Sequence, residues 1–177
     1  MKMMPLSKKE AQHIQQLSDI DWTSWTPVDI ATLLFVMLDD RVLLIRKLTG
    51  LGKGKINAPG GRVEKGESIE AAAVREVQEE LCITPIDPVY RGENLFQFTD
   101  GYSLHIHVFT ATQYQGTPEE TVEAIPLWFP VDAFPYEQMW EDDRLWIPLM
   151  LNEQQFIGRY IFRSDDMLDY NLQLVDR

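Results

Sequence analysis

A chain of 177 residues, 45% hydrophobic and 25% charged, has the size and composition of one globular catalytic domain with a sizeable core. Its 28 acidic residues against 16 basic ones give a net charge of −12, which argues against affinity for a nucleic acid polymer. No apolar run approaches the roughly 20 residues that cross a bilayer, the start MKMMPLSKKEAQHIQQ turns polar too soon for a secretory signal, and the single cysteine, Cys82, makes no internal disulfide. The expectation is a cytoplasmic monomer without membrane or polymer partners.

Residues 1–27 read as an N-terminal extension to a domain covering 28–177. Ser7-Lys8-Lys9-Glu10 fits a capping box, and Ala11, Ile14 and Leu17 follow at helical spacing. An irregular segment with Trp22 and Trp25 comes next, its indoles expected to pack on the domain or at a partner surface. Residues 30–38 and 41–45 are apolar runs rich in branched side chains around Asp39-Asp40, and predict strands buried on both faces. Residues 49–55 carry Gly50, Gly52 and Gly54, either a phosphate cradle or a flexible flap, since alternating glycines do not decide between them. Between positions 46 and 65 stand Arg46, Lys47, Lys53, Lys55, Arg62 and Lys65 against one acid, Glu64, a local balance that suits a small polyphosphate.

Past position 83, residues 89–98 and 102–111 flank Thr99-Asp100-Gly101, a strong hairpin signal. Phe96 and Phe98 share one face of it, as do His105 and His107, which read as ordinary strand positions because no cysteine or third histidine accompanies them. Residues 116–126 form a polar connection with Glu119, Glu120 and Glu123, and 127–131 a short strand. Helical spacing runs from 135 to about 151, interrupted near Pro148, and 157–162 and 168–175 are closing strands around Ser164-Asp165-Asp166. Strands flanking two helices fit an α+β or α/β/α sandwich better than a regular βαβ repeat.

The most informative stretch is 61–83, GRVEKGESIEAAAVREVQEELCI. Pro59-Gly60-Gly61 lets the backbone turn tightly or approach a ligand. Ser68 is a candidate N-cap, and in the helix behind it Glu76, Glu79 and Glu80 fall at i, i+3 and i+4 on one face while Val74, Val77 and Leu81 share another. Hard divalent cations want oxygen ligands, so the acidic face reads as a metal site for a phosphorylated substrate. An acidic helix face alone is commonly just solvated, but here Gly61, Glu67, Arg75 and the three glutamates stand in one register over 23 residues. That order resembles the Nudix box, G, five residues, E, seven residues, R-E-apolar-x-E-E-x-G-apolar, with Cys82 alone departing, in place of the last glycine. The resemblance implies the Nudix fold, an α/β/α sandwich with a mixed central sheet, and hydrolysis of a phosphoric anhydride.

Trp140-Glu141-Asp142-Asp143, together with Asn57-Ala58-Pro59-Gly60-Gly61, Gly116-Thr117-Pro118, Trp128-Phe129 and Leu168-Asp169-Tyr170, resembles the animal-type MutT homologues over roughly residues 32–175. Those Nudix hydrolases cleanse the nucleotide pool by splitting oxidised purine nucleoside triphosphates, such as 8-oxo-dGTP or 2-hydroxy-dATP, into monophosphate and pyrophosphate. The resemblance implies that Asp142, Asp143 and Asn57 read the base, and an indole such as Trp140 stacks well on a purine. Phe96 is grouped with these substrate-binding residues. From the residues alone, Trp-Glu-Asp-Asp is more often an exposed helix start. Leu51, Ile56 and Pro59 replace aromatic residues of the animal enzymes, which loosens or reshapes the pocket.

The expected metal ligands are Glu76, Glu79 and Glu80, joined by the Gly60 carbonyl and Glu123, with Mg²⁺ as the cation and Mn²⁺ as its alternative. Arg75, four positions before Glu79, and Glu67, outside the glutamate face, are expected to orient those carboxylates. The residues do not choose a general base among the glutamates. Lys47 is either a phosphate or base contact or a solvated strand end, and Cys82 brings either strain at the helix end or a different exit. A Nudix hydrolase of another substrate, a dinucleotide or nucleotide sugar, keeps the metal face without needing Trp140, Asp142 and Asp143. A binding module on this fold is expected to lose the carboxylates.

Overall fold

Among residues 3–176, which the computed structural model describes, the chain opens with α1 (Lys8–Ala11). Ser7 and Glu10 close the capping box there. The helix ends sooner than the spacing of Ile14 and Leu17 predicts, because the Asp19 carboxylate takes the backbone N–H groups of Gln15 and Gln16 at 2.9 and 3.1 Å. Those donors are thereby lost to a continued helix. A 3₁₀ turn over Leu17–Asp19 follows.

Next come β1 (Asp29–Leu38), with Ala31 through Val36 buried without a break, and β2 (Arg41–Lys47), joined by a two-residue turn in which Asp39 takes φ 57°. They are followed by β3 (Ile56–Asn57), β4 (Gly60–Arg62), α2 (Ile69–Leu81), β5 (Thr84–Ile86), β6 (Val89–Phe98) and β7 (Ser103–Ala111). Then β8 (Gln113–Gln115) and β9 (Ala124–Pro130) appear, the latter starting three residues earlier than its apolar run predicts because it pairs with β2 from Lys47↔Ala124 onward. The helix expected from 135 starts only at Asp143: after a 3₁₀ turn over Tyr136–Gln138, Met139 is extended, and α3 (Asp143–Leu151) follows. Pro148 sits inside α3 without ending it, costing one helical donor while Asn152 N–H still reaches the Pro148 carbonyl. A hairpin of β10 (Phe156–Arg163) and β11 (Asp166–Leu174) closes the order.

These elements gather into two compact units. The central unit comprises Ala31–Arg91 and His107–Trp140. In it β2 pairs antiparallel with β1, β3 and β9, β4 pairs with β1 through Thr32↔Gly61, and β5 pairs with β8. Helix α2 lays Ala73, Val77 and Leu81 onto Leu34, Val36, Leu43 and Ile45 of the first two strands. Burying a valine or leucine there stabilises the unit by about 1.5–3 kcal/mol each. This packing is what fixes the height and rotation of the acidic helix.

The terminal unit comprises the chain up to Ile30, Gly92–Ile106, and the chain from Glu141. Here β10 lies parallel to β6, from Phe156↔Gly92 to Phe162↔Phe98, and antiparallel to β11, a mixed arrangement. Ala11, Ile14 and Ile20 bury against Ile161. Trp22 and Trp25 pack on this unit, with Trp22 Nε1 donating to the Leu17 carbonyl and Trp25 Nε1 to Gln97 Oε1.

Candidate active site

Ser68 accepts from Ala71 N–H and starts α2 where its spacing predicts. The three glutamates share a side of the helix but are not presented equally: the Glu79 side chain is 50% exposed, that of Glu76 13%, and Glu80 only 4%. The buried stripe is Ala73, Val77 and Leu81, with Val74 half-buried, which corrects the expected Val74 face. Glu80 follows Val77 by three positions and so stands at the edge of that stripe. There Gly60 N–H of β4 donates to Glu80 Oε1 at 3.2 Å, while Thr121 Oγ1 donates to the Glu80 carbonyl. The two glycines allow this closeness: a Cβ on Gly60 would overlap the Thr32 carbonyl, and one on Gly61 the Glu76 carboxylate.

Arg75 organises the face. Its Nε and Nη2 donate to both oxygens of Glu67 at 2.7 and 2.9 Å, its Nη1 to Glu76 at 2.9 Å and Glu79 at 3.2 Å, and Nη2 also to the Arg62 carbonyl. Such a fork fixes direction as well as distance. The Arg75 guanidinium, followed by the Glu64 backbone N–H, holds the Glu67 carboxyl down at about 2.

Burial pushes Glu80 up to about 8; Gly60 N–H and Lys47 oppose this, and Glu76 and Glu123 add to it. Glu76 is also raised, by burial first, against Arg75 and with Glu79 and Glu123. Glu123 adds to the rise of both Glu76 and Glu80 and Lys47 opposes that of Glu80, so these two charges lie within electrostatic reach of the glutamate face. The burial and nearby carboxylates that raise Glu76 and Glu80 are what a divalent cation would relieve, and the hard oxygens of Glu76, Glu79, Glu80, Glu123 and the Gly60 carbonyl are of the kind that would hold it.

Of the substrate residues, Asn57 lies in β3 and its Oδ1 accepts from Ala58 N–H at 2.8 Å. Trp140 is half-buried, with Lys55 Nζ 5.0 Å from its ring centre. In the terminal unit Asp142 and Asp143 do start a helix, yet they are only 1% and 3% exposed, correcting the exposed start that the residues alone suggest. Asp142 Oδ2 accepts from Trp146 Nε1 at 2.8 Å while its buried Oδ1 has no hydrogen-bond partner. Burial pushes Asp142 up to about 7, Trp146 opposing and Glu141 assisting. Burial, with Asp142 and Asp143, also raises Tyr160, whose hydroxyl donates to Asn94 Oδ1 at 2.9 Å and whose ring stacks on Phe96 at 4.9 Å. The inward-turned Tyr160, Asn94 and Trp146 carry no local motif that singles them out. His105 pairs with Glu93 and His107 with Tyr90 through strand neighbours.

The NUDIX domain profile matches residues 27–150, and the chain belongs to that family of Nudix hydrolases, with its α+β fold and mixed sheet. Within the family it is 43% identical over 141 residues to the oxidized purine nucleoside triphosphate hydrolase of Danio rerio, covering 78% of this chain and 90% of that one. It is 39% identical over 148 residues to the mouse (Mus musculus) protein of the same name, covering 82% and 94%. The crystal structure of a MutT protein from Bacillus halodurans aligns with a TM-score of 0.73 and 26% identity, covering 82% of this chain and 98% of that one.

Proposed function

We propose that the protein hydrolyses oxidised purine nucleoside triphosphates, such as 8-oxo-dGTP or 2-hydroxy-dATP, to the monophosphate and pyrophosphate, and so cleanses the nucleotide pool. The observation that carries this is the glutamate face of α2, on which Arg75 braces Glu76 and Glu79 and burial raises Glu76 and Glu80. The likeness to the fish and mouse hydrolases supplies the base. Mg²⁺, or Mn²⁺ in its place, is the cation we assign to Glu76, Glu79, Glu80, Glu123 and the Gly60 carbonyl; when bound it supplies positive charge against the developing charge on the phosphates.

The chain's own residues do the rest. Glu67 holds Arg75, and Arg75 holds Glu76 and Glu79 in direction, so the ligands do not reorganise when substrate arrives. Water attacks a phosphorus, the new O–P bond forms as the anhydride bond breaks, and pyrophosphate leaves. Lys47, whose charge opposes the rise of Glu80, meets phosphate. Trp140 stacks on the base and Asn57 hydrogen-bonds to it. Asp142, whose protonated form burial favours, can donate as well as accept, and with Asp143 reads the donor pattern that oxidation changes. Phe96 supports them through its stack on Tyr160. We take residues 28–177 as the hydrolase domain with 1–27 as its extension, in a cytoplasmic monomer acting on a small nucleotide.

The test is pyrophosphate release with Mg²⁺ from 8-oxo-dGTP, 2-hydroxy-dATP, dGTP, dATP, a dinucleotide and a nucleotide sugar. An oxidised purine with the highest kcat/KM supports the reading. Oxidised nucleotides no better than dGTP remove the assignment of the base, and no turnover at all removes the enzyme.

A further inference from the structure

In the loop that joins β2 to β3 three backbone N–H groups are used internally: Lys53 to the Gly50 carbonyl at 3.1 Å, Gly54 to Lys47 at 2.8 Å, and Lys55 to Gly52 at 2.9 Å. What it faces is Trp140. Gly52, at φ 80°, has its backbone against the indole, and a Cβ there would stand 2.9 Å from Trp140 Nε1 and 3.4 Å from Cε2 and Cζ2. Lys55 Nζ lies over the ring, 5.0 Å from its centre. Arg46 ties the same loop to the turn before Trp140, donating from Nη1 to the Gly54 carbonyl and from Nη2 to Gln138 Oε1, both at 2.9 Å.

One loop thus holds one indole at three places: backbone on its edge, a cation over its ring, and a guanidinium bridge to the segment that carries it. We propose that Lys55 is a positioning residue of this hydrolase, fixing the tilt of the Trp140 indole and so the selectivity for a purine base. This rests on the reading that Trp140 stacks on the base. An ammonium over an indole face attracts the ring electrostatically, and the attraction is directional, which a packed aliphatic chain alone does not supply.

The experiment sets Lys55→Met against Trp140→Leu in a two-by-two kinetic cycle on 8-oxo-dGTP and dGTP, with Lys55→Arg as the conservative variant and tryptophan emission of the ligand-free proteins alongside. Lys55→Met is expected to raise KM for the oxidised nucleotide about fivefold with kcat nearly unchanged, and to narrow its preference over dGTP, while Lys55→Arg stays within about twofold of the parent. In the Trp140→Leu background Lys55→Met should add nothing, and its change in emission should vanish. If Lys55→Met weakens both nucleotides equally and by the same factor in the Trp140→Leu background, Lys55 contacts phosphate on its own and the proposal is overturned. A silent Lys55→Met overturns it too. If Trp140→Leu alone leaves KM and preference untouched, the stacking reading has failed, and the positioning role falls with it.

Discussion

Glu80 in the central unit and Asp142 in the terminal unit are both carboxylates that burial pushes into the neutral range, yet their surroundings differ. Around Glu80 stand Glu76, Glu123 and Lys47 and one backbone donor, a field of mixed sign that a cation can complete. Around Asp142 stand the Trp146 indole N–H and the nearby Glu141, and one carboxylate oxygen is left with no partner. The same shift therefore prepares two kinds of chemistry. In the proposed reading Glu80 gives up its proton to the metal, whereas Asp142, with an indole donor on one oxygen and no partner on the other, can hold a proton and donate it.

The largest effect should come from breaking the first of the pair. Glu80→Gln removes a ligand charge at constant shape, and pyrophosphate release is expected to fall about a thousandfold while chemical unfolding at neutral pH is unchanged or slightly harder. If turnover drops less than about tenfold, the two carboxylates do not differ in the way described here.

The second of the pair should show itself in stability. An unfolded aspartate titrates at about 4, and Asp142 in the fold at about 7, so the folded state holds a proton that the unfolded chain has lost. Its contribution is full below about pH 4 and disappears as pH rises through 7, by up to a few kcal/mol. Asp142→Asn, which copies the protonated acid and cannot ionise, should flatten that slope in urea unfolding across the same window. An unchanged slope means Asp142 is ionised in the fold.

Arg75→Lys sharpens the contrast by loosening one site only. A lysine cannot make the fork to Glu67 while holding Glu76 and Glu79, so kcat/KM should fall about 10- to 100-fold with the unfolding slope of Asp142 intact. The smallest effect is at the end of α2, where Cys82 takes φ 62°, a left-handed conformation that disfavours side chains. Cys82→Gly should stabilise the protein by about 0.5–1 kcal/mol and raise Tm by a few degrees, with activity unaltered. A lower Tm would mean the cap carries no strain.

The box was legible because its information is local: Ser68, Glu76, Glu79, Glu80 and Arg75 lie within a few turns, and helical periodicity alone puts them in relation. The unequal exposure of the three glutamates was not, since the cover on Glu80 comes from Gly60, 20 residues earlier, through a strand whose pairing no spacing reveals. The burial of Asp142 was hidden for the same reason. An acidic tetrapeptide reads as solvated until Trp146 folds back on it and Tyr160 arrives from another strand. Helix α1 was overextended because periodicity does not register a competing side chain, and Asp19 is one.

The bond from Leu17 N–H to the Asp169 carboxylate joins positions 152 apart. A ribosome therefore exposes Ala11, Ile14 and Ile20 long before the strand carrying Ile161 exists to cover them. The central unit, whose members span a shorter stretch, can close while synthesis continues, but the terminal unit waits with an apolar surface uncovered. Slow translation or crowding should thus threaten the yield of this protein through its early residues.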